Sequence, residues 1–280
     1  VDIKRVAVVG AGIMGRGIAQ VVADAGLEVT LVDVSQDALE GARGRIARDL
    51  GRRLSDDQVE AVVARIALST DIEEAGAASD HVVEAVTEDI DLKRSLFTRL
   101  DHACGPDVIL ATNTSQFSIS SIAAATERPD RVIGTHWFNP PPVMRLIEVV
   151  RGELTSDETL ATTLELAERF GKETIVCRKD TQGFVTSRLI MLFLLEAARI
   201  YEEGIASAED IDKACKLAFN HAMGPLTTAD FSGLDTLLRG SEAMTANYGE
   251  RFRAPQTLRR LVNAGQLGRK SGSGFHPAPA

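Results

Sequence analysis

Three glycines constrain this chain more than any other feature. Gly10-Ala11-Gly12-Ile13-Met14-Gly15 follows the β-branched run Arg5-Val-Ala-Val-Val9 and opens a helical stretch that continues through Ala25. A strand, a glycine turn and a helix in this order have a specific physical use. The first glycine makes the tight turn, the second lets backbone approach a pyrophosphate, and the third lets helix pack on strand. The helix then presents free N–H groups and a partial positive charge to the phosphates. A second strand, Glu28-Val-Thr-Leu-Val32, ends at Asp33, the expected acceptor for both hydroxyls of an adenosine ribose. Val34 follows where an NADP site often carries Arg, so a 2′-phosphate would face an unpaired carboxylate and NAD is favoured. A purely structural glycine turn beside a surface Asp is the alternative.

Downstream, short apolar runs alternate with helical stretches. One helical stretch runs to about Val63; then come His81-Val-Val-Glu-Ala-Val86, a helix from about Leu92 to His102, and Val108-Ile-Leu-Ala111. Arg131 to Thr135 and Arg145 to Val150 read as strands joined by a turn containing Asn139-Pro-Pro-Pro142. Ser156 is placed to cap a helix from Asp157 to Phe170, and Thr174 to Cys177 is one more strand. Such alternation builds a doubly wound, mostly parallel α/β sheet of the Rossmann type. From about Thr181 strand signals cease. Gly183 to Glu203 reads as one helix, and Ser207 caps the next. The expected organisation is an α/β domain over residues 1–180 and an all-helical domain over 181–280. Leu189 to Leu195 is apolar around the whole helix, so a second subunit is expected to cover part of it.

Composition sets limits on partners. Against 31 Lys+Arg stand 40 Asp+Glu, a net charge of −9, which argues against general nucleic-acid binding. Cys104, Cys177 and Cys215 have neither metal spacing nor disulfide pairing, as expected in a reducing compartment. No metal-ligand cluster stands out. No apolar run approaches the ~20 residues that cross a bilayer. Val1-Asp2-Ile3-Lys4-Arg5 leads straight into a strand, so no leader is expected and the cytoplasm is the expected setting.

His136 ends one predicted strand, and Glu148 lies inside the next, where a carboxylate is costly to bury without a partner. Adjacent strands can bring the two together. The carboxylate would orient the imidazole and raise its basicity, fitting it to take a proton from a secondary alcohol. Taken alone, His136 also reads as a satisfied core residue. Asn113-Thr-Ser115 follows a strand at its carboxyl end, where open α/β sheets bind ligands, although plain turn chemistry also explains it.

With these residues in view, the chain resembles the (S)-3-hydroxyacyl-CoA dehydrogenase family, including its short-chain bacterial members acting on 3-hydroxybutyryl-CoA. The resemblance spans nearly the whole chain. It rests on Gly10 to Gly15, Val83-Glu-Ala-Val-Thr-Glu88 with Lys93, Thr112-Asn-Thr-Ser115 and His136-Trp-Phe-Asn-Pro140. Leu146-Ile-Glu-Val149, Met223-Gly-Pro225, Gly233-Leu-Asp-Thr236 and Gly268-Arg-Lys-Ser-Gly272 extend it. It implies His136 as general base, Glu148 as its orienting partner, and Ser115 at the substrate oxygen. It also implies that Glu88, Lys93, Asn113, Ser115, Asn139 and Lys270 join Gly10, Gly12, Ile13, Met14, Gly15 and Asp33 around NAD. Read locally, Glu88 with Lys93 is a solvated ion pair and Lys270 a surface charge. The family implies a helical dimerisation domain, hence a homodimer.

One departure concerns the substrate. Asp180-Thr-Gln-Gly-Phe-Val-Thr-Ser-Arg188 has Ser187 where the family usually carries Asn, and Gln182 where it has proline. A hydroxyl reaches less far than an amide. Ser187 is a substrate-binding candidate whose shorter reach leaves the acyl group open. Arg45, Arg48 and Arg52, with Arg43 and Arg53 nearby, form a basic stripe for CoA phosphates or an acidic acyl carrier protein; a solvated helix face is the alternative. The chemistry expected is NAD-linked oxidation of a 3-hydroxyacyl thioester. A dehydrogenase for a carrier-bound or free hydroxy acid, and a non-catalytic NAD-binding protein, are the alternatives.

Overall fold

The computed structural model describes residues 3–277. It contains two compact units, Val1–Phe184 and Val185–Ala280. In the first, eight strands form one sheet: β1 (Arg5–Val9), β2 (Glu28–Val32), β3 (Ile66–Ser69), β4 (His81–Glu84), β5 (Ile109–Thr112), β6 (Val132–Trp137), β7 (Leu146–Arg151) and β8 (Glu173–Cys177). Their spatial order is β3-β2-β1-β4-β5-β6-β7-β8. β1 to β6 are mutually parallel, β7 runs antiparallel to β6, and β8 is parallel to β7. The order reverses at β1, the topological switch where such sheets bind ligands at their carboxyl ends.

Seven helices cover this sheet: α1 (Ile13–Asp24), α2 (Gln36–Leu50), α3 (Asp56–Val63), α4 (Ile72–Ala77), α5 (Ile90–Ala103), α6 (Ile119–Ala123) and α7 (Asp157–Arg169). The period of two along each strand divides the core. Val6, Val8, Val29, Leu31, Ile133 and Val149 pack with Ile18 and Val22 of α1, Ile46 of α2 and Leu166 of α7. Ala7, Val9, Val82, Leu110, Val132 and Val150 face the other way, against Phe97 and Leu100 of α5 and Ile119 of α6. Ser156 caps α7 by accepting from Thr159 N, as its sequence position predicts.

Three local details differ from the sequence reading. The helical stretch to Val63 is two helices, because the chain turns at Gly51–Ser55 and Gln58 Oε1 accepts from Ser55 N (3.1 Å) to start α3. Arg52 and Arg53 therefore follow α2 and do not extend its face. β3 and α4 were not foreseen: a four-residue strand with a single β-branched residue carries almost no periodic signal. The helix expected from Gly183 starts at Thr186, since Gly183 (φ 74°) and Phe184 (φ 44°) occupy the left-handed region.

The second unit holds α8 (Thr186–Glu202), α9 (Ala208–Ala218), α10 (Pro225–Ser232), α11 (Leu234–Tyr248) and α12 (Gln256–Asn263). Ser207 caps α9 by accepting from Asp210 N. Leu194, Leu195, Ala198, Leu226, Leu234, Phe252 and Leu258 make its core. The apolar run on α8 divides: Met191, Leu194 and Leu195 are buried, whereas Leu189 is 65% and Ile190 42% exposed. No helix among the described residues is long and apolar enough to cross a membrane.

Candidate active site

The turn between β1 and α1 is shaped by close approach. Gly10 has φ 107°, and a Cβ there would lie 2.6 Å from Ala85 O. A Cβ on Gly15 would lie 1.7 Å from Gly10 O, so only glycine permits this crossing of turn and helix. At Gly12 the situation is opposite: a Cβ would meet nothing within 4 Å. That open space lies at the start of α1. The first intrahelical bond is Arg16 N to Gly12 O (3.0 Å), so the N–H groups of Ile13, Met14 and Gly15 precede the helical ladder.

Asp33 is held rigidly at the end of β2. Its Oδ2 accepts from Ala11 N (2.8 Å) and its Oδ1 from Ser35 N (3.1 Å). Each oxygen keeps a lone pair for a further donor. A cavity of about 380 Å³ lies beside it, lined by Gly10, Gly12, Asp33, Ala85, Val86 and Thr87 and continued by the apolar Ile72, Leu92 and Leu96. Val34, 96% exposed, stands at its edge. Glycine turn, open helix end, anchored carboxylate and apolar slot together fit a dinucleotide with an unphosphorylated ribose.

A second cluster sits on β6 and β7. His136 and Glu148 are direct partners in the antiparallel register and face the same side of the sheet. His136 Nδ1 lies 2.6 Å from Glu148 Oε2, with Glu148 fully buried and His136 7% exposed. A buried carboxylate at that distance accepts from Nδ1–H, leaving Nε2 as the acceptor of the neutral ring. Nε2 has no hydrogen-bond partner among the described residues. Phe138 (4.7 Å between ring centroids) and Phe184 (5.8 Å) flank the imidazole. The turn that follows reaches α1: a Cβ on Gly17 would lie 2.7 Å from Pro141 Cδ. Lys172 Nζ donates to Pro141 O (2.6 Å) and Met144 O (2.7 Å), fixing the same turn. Asn139 is exposed within it.

The loop after β5 joins these features. Asn113 Oδ1 accepts from Trp137 N (2.9 Å), next to His136. Glu88 Oε1 accepts from Ser115 N (3.0 Å), and the Ser115 hydroxyl has no hydrogen-bond partner among the described residues. Glu88 and Lys93 are not a solvated pair. Lys93 is 1% exposed, with Nζ 2.6 Å from Glu84 Oε1 and 3.2 Å from Glu88 Oε2. Sequence reasoning missed Glu84, although a carboxylate within His81-Val-Val-Glu-Ala-Val86 carries the same signal that marks Glu148. It also missed Phe138 and Phe184. Beyond the loop, Asp180 Oδ2 accepts from Ser118 Oγ (2.5 Å) and Ser120 N (2.7 Å). Burial works to raise the Asp180 carboxyl, but these donors prevail and hold it below the usual carboxylate range.

Ser187 and Lys270 belong to the second unit. Ser187 is in the first turn of α8, and Lys270 Nζ is ion-paired with Asp235. The arginines 43, 45, 48 and 52 are exposed; Arg52 lies 3.7 Å from Asp49, and Arg53 pairs with Asp24 at 2.5 Å.

The first unit thus defines a dinucleotide-binding protein. Residues 5–181 match the NAD binding domain of 3-hydroxyacyl-CoA dehydrogenase, and residues 183–277 match the C-terminal domain of the same enzymes. The chain belongs to the 3-hydroxyacyl-CoA dehydrogenase family of NAD-dependent oxidoreductases. It is 42% identical to the 3-hydroxybutyryl-CoA dehydrogenase of Mycobacterium tuberculosis, over 98% of both chains. It is 40% identical to the human mitochondrial hydroxyacyl-coenzyme A dehydrogenase, over 98% of this chain and 91% of that one. The crystal structure of (S)-3-hydroxybutyryl-CoA dehydrogenase from Ralstonia eutropha superposes with a TM-score of 0.95 at 41% identity, covering 100% of both chains.

Proposed function

We propose that this chain interconverts a short-chain (S)-3-hydroxyacyl-CoA, such as 3-hydroxybutyryl-CoA, and the 3-oxoacyl-CoA, with His136 as general base. The buried His136–Glu148 pair carries this reading. Bound NAD supplies the hydride acceptor at its nicotinamide. Gly10, Gly12, Ile13, Met14 and Gly15 would hold its pyrophosphate, and Asp33 would take the ribose hydroxyls. Glu88, Asn113 and Asn139 would complete the cofactor's surroundings. Nε2 of His136 accepts the substrate hydroxyl proton, and Glu148 stabilises the imidazolium that results. Ser115 donates to the reacting oxygen. Phe138 and Phe184 exclude water from the imidazole. The relatives' activities and the match to the NAD binding domain support this assignment.

The exposed Leu189 and Ile190 of α8 support a homodimer; light scattering should show a dimer, and a monodisperse monomer at working concentration refutes it. The burial of Cys104, Cys177 and Cys215 at separate places along the chain supports a reducing cytoplasmic setting. The exposed arginines of α2 suit CoA phosphates.

The test is NADH absorbance over 3-hydroxyacyl-CoA substrates of graded length. Turnover of a short-chain member is expected. His136→Gln should lower kcat by about 10²-fold or more while NAD affinity holds. Near-wild-type turnover in that variant refutes the reading. Ser187 and Gln182 motivate a second one, in which the hydroxyacyl group is carrier-bound or free. A higher kcat/KM for a carrier-bound 3-hydroxyacyl group than for its CoA ester would select it.

A further inference from the structure

A cavity of about 540 Å³ lies in the first unit apart from the dinucleotide cleft, with which it shares no lining residue. Gln20 and Asp24 of α1 line it, together with Arg53 after α2, Arg145 before β7, Arg169 at the end of α7 and Lys172 before β8. Four cations thus gather around one carboxylate, on a chain whose net charge is −9. Like charges held together repel, so the arrangement favours negative charge beyond that of Asp24.

The donors are only partly used. Arg53 pairs through one guanidinium nitrogen with Asp24 (2.5 Å), Arg145 through one with Glu173, and Arg169 donates through one to Ile3 O (2.8 Å). A guanidinium carries more N–H groups than one such bond uses. Lys172 Nζ donates to Pro141 O (2.6 Å) and Met144 O (2.7 Å) and keeps a further N–H. Burial holds its ammonium below the usual range, so an anion beside it would be stabilising. Gln20 is an independent sign. It is 5% exposed, lines the cavity, and its amide has no hydrogen-bond partner among the described residues. A buried amide left unpaired costs free energy, which a ligand accepting from it would recover. The cavity also lies away from the reacting imidazole. His136 and Trp137 are consecutive on β6 and point to opposite faces of the sheet. Phe170, which lines the cavity, packs on Trp137 (5.8 Å between ring centroids), and Lys172 Nζ is 5.8 Å from the same ring.

We infer that this cavity is a second ligand site, which binds a free phosphate or diphosphate anion through Gln20, Arg53, Arg145, Arg169 and Lys172. Guanidinium forks and an ammonium around a neutral amide donor suit the several oxygens of such an anion, each of which accepts charge-assisted bonds. The inference does not depend on which hydroxyacyl group the chain oxidises.

The test is isothermal titration calorimetry of the full chain with sodium pyrophosphate, at constant ionic strength and with NAD saturating so that the glycine turn at Gly10 to Gly15 is occupied. One site per chain with Kd below about 5 mM is expected. Arg145→Glu should weaken binding about tenfold or more, and Gln20→Leu, of similar volume, about threefold or more. Arg48→Glu, on the exposed face of α2, should change it less than about twofold, because a distant exposed charge is screened. Thermal melts confirm folding; should Gln20→Leu fold poorly, the exposed Arg145→Glu decides the matter. No saturable binding up to about 20 mM, binding that disappears when NAD is present, or equal losses in Arg145→Glu and Arg48→Glu would each overturn the inference. A further arm adds saturating CoA. Pyrophosphate binding is expected to persist, whereas its displacement would make the cavity part of the substrate's own site and refute a separate one.

Discussion

Replacing Glu148 by Gln removes one charge from the site at nearly constant volume. The carboxylate is fully buried, and its Oε2 lies 2.6 Å from His136 Nδ1, so its field acts on the imidazole with little screening. Taking about 4 Å between charge centres and an effective dielectric constant of about 20, a full carboxylate–imidazolium attraction is about 4 kcal/mol. In the transition state the proton is partly transferred, so between about half and all of that is at stake. This corresponds to a fall in kcat of roughly 30- to 10³-fold. NAD affinity should be unchanged, because Glu148 is not among the residues lining the dinucleotide cleft. The assay is initial-rate NADH formation at saturating NAD, with a thermal melt on the same samples to confirm folding. A folded Glu148→Gln enzyme with kcat within about threefold of wild type would show that the imidazole draws no electrostatic support from this carboxylate.

Two further outcomes follow from other parts of the first unit. Asp33→Ser/Val34→Arg replaces the ribose-binding carboxylate by a cation at an exposed position; losing a charge-assisted bond of about 1.5–3 kcal/mol should cut kcat/KM for NAD by about 10- to 150-fold and raise that for NADP, and unchanged cofactor preference would contradict the proposed orientation. His81 is buried, with no partner for Nδ1 among the described residues, and burial lowers its pKa from 6.5 to about 4. The unfolded chain therefore binds a proton that the native state refuses, so stability is lost as pH falls from about 6.5 to about 4. The loss is about 3 kcal/mol. Urea melts across that range should be steeper in pH for wild type than for His81→Leu, and equal slopes would remove His81 as the cause.

Much of the active site can be read from the sequence because its signals are local. The glycine spacing requires its own turn, as the contacts of Gly10 and Gly15 demonstrate. His136 and Glu148 were foreseen as neighbours because a polar residue inside each of two adjacent strands needs a partner. Their antiparallel register turned that need into a direct pair. Glu84 and Lys93 were not joined in the same way. They lie nine residues apart on a strand and a helix, and only the packing of α5 against β4 buries the lysine between two carboxylates. The break before α8 was missed too, because the left-handed conformation of Phe184 has no local signal in a residue that seldom adopts it.

By itself, the sequence determined the alternating sheet, the cofactor turn and the helical second unit, since each follows from short-range periodicity and glycine stereochemistry. Tertiary structure decided which charges would be buried and what would surround them. Lys93 reads as a surface residue along the chain and is an interior one in space; Phe138 and Phe184 become neighbours of His136 only when β6, the turn after it and the end of the first unit come together. The physical reason is that desolvation depends on everything packed around a group, and distant segments supply most of that packing.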